Sequence, residues 1–173
     1  MSSVQDLRML TRYTAWANVL LYESLARESE ATLSLDRSAR PGGILGVLGH
    51  IYVVGLIWKA HLTSSEHGFA SRRLENLISL NELRRRQTDL DAWYVQFAES
   101  QTTEGLGKDL NFMFVGGGSG VMSVGEMLLH VVNHSTYHRG YVADMLYEAG
   151  STPPTMDLPV YIRGVRGQGG ARA

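Results

Sequence analysis

The sequence contains no cysteine among its 173 residues. This absence excludes disulfide bonds, thiolate zinc sites and cysteine nucleophiles together. It is also compatible with a reducing compartment such as the cytoplasm. A metal ion in this protein would have to be bound by histidine, aspartate or glutamate.

An excess of charge of either sign is also absent. The chain has 16 lysines and arginines against 17 aspartates and glutamates, so its formal net charge is −1. This balance offers no electrostatic attraction to nucleic acid or to an anionic membrane. The first residues, "MSSVQDLRML", lack the apolar core of a signal peptide, and we expect that no apolar run approaches membrane-spanning length. We therefore expect a cytoplasmic protein without nucleic-acid or membrane partners.

One local basic cluster stands out against this balance: Arg84, Arg85 and Arg86, with Arg72 and Arg73 upstream. The simpler interpretation is a solvated helix face. Binding of an anionic group of a substrate or cofactor is the alternative.

Helical periodicity, with apolar residues at steps of three and four, runs through four segments. Two of them begin at sequences typical of a capping box, Ser79-x-x-Glu82 and Ser123-x-x-Glu126. The first two predicted helices cover residues 4–27 and 44–62. The third begins at Ser79 and includes Phe97, and the fourth runs from Ser123 to near Gly150. Four long amphipathic helices with modest connections predict an all-α four-helix bundle.

The segment "LNFMFVGGGSGVMS" separates the third helix from the fourth. Two β-prone runs around a glycine turn predict a small β-hairpin there. We expect residues 1–163 to form a single domain. Residues 164–173, rich in glycine and arginine, are predicted to be a flexible tail.

Half of the six histidines lie in "HVVNHSTYHRG", residues 130–140. The apolar stripe of the fourth helix passes through Val131 and Val142, and its periodicity places His134 and His138 on the core-facing side between them. Buried polar groups need partners, and histidines at i and i+4 lie close enough to share an ion. His130 and His138 are about 12 Å apart along the helix, so they cannot both bind one metal. His130 is therefore predicted to line the pocket or to support a ligand.

Two ligands on one helix require a third from another helix. His50 lies at the border of the apolar face of the second helix, and His61 lies further along the same helix. His50 is the better candidate for the third ligand, and the spacing does not exclude His61. A hydrogen-bonded histidine cluster without metal is the alternative. The sequence "HSTYH" lacks the glutamate of HExxH zinc proteases, which argues against that route to peptide hydrolysis.

The chain resembles the DinB family, the DinB/YfiT-like four-helix bundles, over nearly its whole length, to about residue 163. The segments that carry the resemblance are "YTAWANVLLYESL", "ILGVLGHIYVVGLIWKAHL", "SVGEMLLHVVNHSTYHRGYVADML" and "TPPTMDLPVYIR". The resemblance implies that His50, His134 and His138 bind a divalent ion, nickel or zinc. Tyr141 departs from the family pattern, in which glutamine is common at this position.

The resemblance also implies an activity. Some members of the family are thiol S-transferases or isomerases that use a low-molecular-weight thiol, and many others are described only as metal-dependent hydrolases. We expect a metal-dependent enzyme of one of these kinds acting on a small molecule, with His130 and Tyr137 as catalytic or pocket residues. A non-catalytic metal-binding or stress-associated bundle is the alternative. A homodimer is expected in either case.

Overall fold

The computed structural model describes residues 3–36 and 42–169. Four long helices and a two-stranded sheet make up most of this part of the chain. In chain order, the elements are α1 (Val4–Leu25), α2 (Glu30–Ser34), α3 (Gly43–Leu62), α4 (Leu80–Ser100), α5 (Thr103–Leu106), β1 (Asp109–Met113), β2 (Ser119–Ser123), α6 (Val124–Glu148) and α7 (Leu158–Gly169).

The long helices begin where their capping residues predict. Ser123 accepts a hydrogen bond from the Glu126 backbone N–H, and the Glu126 carboxylate accepts one from the Ser123 backbone N–H at 2.7 Å. Ser79 caps α4 by accepting a hydrogen bond from the Glu82 backbone N–H. These side chains satisfy N–H groups that have no partner within the helix, and so they set its first residue.

The four long helices form the predicted bundle. Helices α1 and α3 each pack against both α4 and α6. Strands β1 and β2 pair antiparallel, with Asp109 opposite Ser123 and Met113 opposite Ser119. The prediction of an all-α four-helix bundle with a small hairpin between the third and fourth long helices is confirmed.

Helix α3 is the most apolar element of the bundle. It is 20 residues long and contains an 18-residue window with a mean hydropathy of 1.6, which is enough to cross a membrane by length and composition alone. The expectation that no apolar run approaches that length was therefore wrong for α3. However, 72% of its most apolar window is buried inside the protein, as in the core helix of a soluble bundle. Contact with α4 and α6 accounts for its composition without a lipid environment.

Three of the helices were not predicted from the sequence: α2, α5 and α7. Helix α7 extends through residues 164–169, which the sequence assigned to a flexible tail, and residues 170–173 lie outside the described part of the chain. The ring of Tyr161 in α7 lies 5.8 Å from the ring of Tyr13 and 5.4 Å from that of Trp16, both in α1. These aromatic contacts are tertiary, so the local composition gave no sign of them. The domain limit at residue 163 stays a prediction.

Candidate metal centre

Three histidines from two helices meet between α3 and α6. His50 comes from α3, whereas His134 and His138 come from α6, and their candidate ligand nitrogens all lie within 4.8 Å of one another. The Nε2 atoms of His50 and His134 are 3.1 Å apart. In a tetrahedral site with bonds of about 2.0–2.1 Å, ligand nitrogens lie roughly 3.3 Å apart. The spacing of the imidazoles therefore fits a divalent transition metal.

Helix periodicity brings the two histidines of α6 to one face, as the sequence predicted. The centroids of the His134 and His138 rings are 4.3 Å apart, and both rings lie within 5 Å of the His50 ring. All three side chains are half-buried. Of the two α3 histidines left open by spacing, the structure places His50 in this group and His61 outside it.

A backbone carbonyl orients the α3 histidine. The Nδ1 atom of His50 lies 2.7 Å from the carbonyl oxygen of Arg72, in the connection between α3 and α4. A protonated Nδ1 that donates to this oxygen leaves the Nε2 lone pair facing His134, and such hydrogen bonds commonly orient metal-binding imidazoles. Sequence reasoning missed this contact because any residue carries a carbonyl, and the connection has no regular pattern.

The electrostatic surroundings favour neutral imidazoles. Burial, with smaller effects from His138 and His50, lowers the pKa of His134 to about 3. Burial also lowers the pKa of His50 and of His130. The neutral form of histidine is the one that binds metals. Among the residues that the structure describes, this group has no aspartate or glutamate member.

The two predicted catalytic residues border the three histidines without joining them. The His130 ring lies 4.6 Å from the Trp58 ring and 5.7 Å from the His134 ring. The Tyr137 ring lies 5.1 Å from the His138 ring, and its side chain is 59% exposed. The Tyr137 hydroxyl accepts a hydrogen bond from the hydroxyl of Tyr141. Both positions suit a pocket wall, and a catalytic role for either residue stays a prediction.

A buried polar network lies immediately behind His138, around Arg139. Arg139 is only 2% exposed and donates hydrogen bonds to Asn18 Oδ1 and to Thr136 Oγ1. Asn18 in turn donates to one carboxylate oxygen of Asp91 at 2.8 Å, and Gln87 donates to the other at 2.8 Å. Arg139 thus reaches a carboxylate through Asn18. Sequence analysis missed Asn18 and Asp91, although both are polar residues on the buried faces of their helices.

The titration of Asp91 is expected to appear in the pH dependence of stability. Burial raises the pKa of Asp91 from 3.8 to about 6, against the opposing effect of hydrogen bonds from Asn18 and Gln87. A raised carboxyl pKa means that the folded state binds the proton more tightly than the unfolded state. The Asp91 contribution to the free energy of unfolding is complete below the pKa that Asp91 has in the unfolded chain, and it is lost as pH rises through about 6.

The comparison of wild type with Asp91→Asn isolates this effect from other titrating groups. The free energy of unfolding of the wild type, relative to the variant, should fall by on the order of 2 kcal/mol between pH 4.5 and pH 7.5. Urea denaturation across that range measures it. A difference that does not change with pH would show that Asp91 has an ordinary pKa in the folded protein.

Known proteins resemble the chain both in sequence and in fold. The model of the DinB family matches residues 1–169. Protein DinB of Bacillus subtilis (strain 168) is 27% identical over 164 residues, which cover 88% of this chain and 91% of that protein.

Two solved structures share the fold. A DinB-like protein from Bacillus cereus ATCC 10987 superposes with a TM-score of 0.64 at 18% identity, covering 85% of this chain and 94% of its own. YfiT from Bacillus subtilis, described as a probable metal-dependent hydrolase with an unusual four-helix bundle topology, gives a TM-score of 0.66 at 11% identity, covering 88% of this chain and 92% of its own. The family match over residues 1–169, together with the bundle described above, leads to one conclusion: the chain belongs to the DinB family.

Proposed function

We propose that this protein is a metal-dependent enzyme that acts on a small molecule and binds a divalent ion through His50, His134 and His138. The observation that carries the proposal is the convergence of their three ligand nitrogens within 4.8 Å. The description of YfiT as a probable metal-dependent hydrolase supports it by analogy of fold.

A zinc-like ion with three protein ligands keeps an open position, where it can polarise a carbonyl or lower the pKa of a bound water or thiol. The residues of this chain would provide the surroundings for that chemistry. His50 is held by the Arg72 carbonyl, and the rings of His134 and His138 are half-buried. Structural zinc sites usually have four protein ligands, so a set of three histidines favours catalysis over a purely structural role.

We propose hydrolysis or thiol-dependent transfer or isomerisation as the reaction, with a low-molecular-weight thiol as the cosubstrate in the second case. His130 and Tyr137 flank the three histidines and are the side chains placed to contact a substrate bound there. Nickel and zinc both suit three imidazoles. A cytoplasmic location and a homodimer complete the proposal. Light scattering of the purified protein tests the dimer.

Elemental analysis of untagged protein, followed by titration of the metal-free form, tests the proposed function. We expect about one equivalent of zinc or nickel per chain. The loaded protein would then be assayed for ester and amide hydrolysis, and for conjugation of an electrophile with and without a low-molecular-weight thiol. Failure of the wild type to bind either ion, even after addition, would overturn the proposal and leave the histidines as a hydrogen-bonded cluster.

A further inference from the structure

A cavity lined by two histidines outside the metal centre lies between the end of α3, the connection that follows it and the β-hairpin. Its volume is 450 Å³, within the range of about 300–1,000 Å³ that is usual for small-molecule pockets. His61 and His67 line one side, and Phe112, Met113 and Ser119 of the hairpin line the other. The two histidines that belong neither to the metal centre nor to its border therefore both face this cavity.

An unbroken series of aromatic rings connects the cavity with the metal centre. The His134 ring lies 5.7 Å from His130, and His130 lies 4.6 Å from Trp58. Trp58 in turn lies 5.5 Å from His61. His61 follows His50 by eleven residues, so the two lie on nearly the same face of α3, about 16 Å apart along its axis. The cavity and the three histidines thus lie at the two ends of this series of rings.

The walls of the cavity suit an uncharged, apolar group. Phe112 packs against Trp58 and His61, at ring distances of 5.1 and 5.9 Å. Burial lowers the pKa of His61, helped by nearby His67, and so favours its neutral form. Glu66 is the charged residue among the described lining, and its carboxylate would repel an anionic group.

We propose that this cavity binds the apolar, uncharged end of an elongated substrate whose reacting end lies at the three histidines. The proposal rests on the proposed function, and it specifies the substrate class: a molecule with an apolar chain or ring, separated by a linker from the group that reacts. Binding energy from the remote end would hold the reacting group in place. The half-buried ring of His130, which packs on the buried Trp58, would contact the linker.

A pair of metal-binding ligands that differ only in chain length tests the proposal. Acetohydroxamate and decanohydroxamate carry the same chelating group, and their affinities for zinc-loaded protein can be measured by calorimetry. We expect decanohydroxamate to bind at least about tenfold more tightly, because its chain leaves water for the cavity. Ser119→Trp, which fills the cavity, should remove this preference and leave both the affinity for acetohydroxamate and the zinc content unchanged.

Gly116→Trp is the matched control, because a Cβ atom at this position of the hairpin turn meets no atom within 4 Å. It should keep the wild-type preference. Met113→Asp, which introduces a carboxylate into the cavity wall, is a second variant that should weaken binding of decanohydroxamate alone. Equal affinities for the two ligands in zinc-loaded wild type, or a preference that survives both cavity variants, would overturn the cavity proposal. A wild type that binds neither zinc nor nickel would instead overturn the proposed function and, with it, this inference.

Discussion

Replacement of His134 by alanine is expected to lower the affinity for zinc or nickel by more than about 100-fold, since loss even of a group that only supports a ligand costs 10–100-fold. His134 is central to the group: its ring contacts those of His50 and His138, and its Nε2 atom faces that of His50 at 3.1 Å. Without it, two imidazoles from different helices remain. Titration of metal-free protein with a competing chelator measures the affinity directly.

The same change should also remove the stabilisation that metal gives to the fold. A ligand that binds only the folded state adds about 2.7 kcal/mol when its free concentration is 100 times Kd. Zinc should therefore raise the thermal midpoint of the wild type and have little effect on His134→Ala. His61→Ala is the control, because His61 is a histidine of α3 that lies outside the group, and this variant should keep wild-type affinity. Equal loss of metal in both variants would contradict the assignment of ligands.

Replacement of Arg139 by alanine is expected to lower the free energy of unfolding by about 3–5 kcal/mol. Arg139 is 2% exposed, and its guanidinium lies over the Tyr13 ring. Its removal leaves Asn18 Oδ1 without this donor and opens a cavity next to the Tyr13 ring. It also removes the positive charge that the buried Asp91 reaches through Asn18. Urea denaturation at neutral pH gives the measurement.

Arg86→Ala provides the control for the loss of a guanidinium as such. Arg86 pairs with Glu82 on an exposed part of α4, and exposed pairs contribute about 0–1 kcal/mol. A second test couples the two buried groups. Asp91→Asn should lower the free energy of unfolding less in the Arg139→Ala background than in the wild type, because without Arg139 the buried Asp91 carboxylate has no compensating positive charge to lose. Additive effects would show that Arg139 and Asp91 do not interact in the folded protein.

The pattern of the sequence was sufficient for the bundle and for the placement of His134 and His138 on one face of α6. Steps of three and four residues placed His134 and His138 on the buried face of α6, and the serine caps set the start of α6 and α4. These are properties of a single helix, which depend only on its own residues. For the same reason, the short helices α2 and α5, which have little periodicity to detect, were missed.

The choice between His50 and His61 could not be made from one helix, because both lie on nearly the same face of α3. The packing of α3 against α6 determines which of them meets His134, and the connection to α4 supplies the Arg72 carbonyl that orients it. Asn18, Asp91 and Arg139 likewise come from three different helices. The sequence by itself determined which residues share a helix face, since helix geometry is local. Only the tertiary structure decided which faces meet, because contacts between distant segments depend on the packing of the whole core.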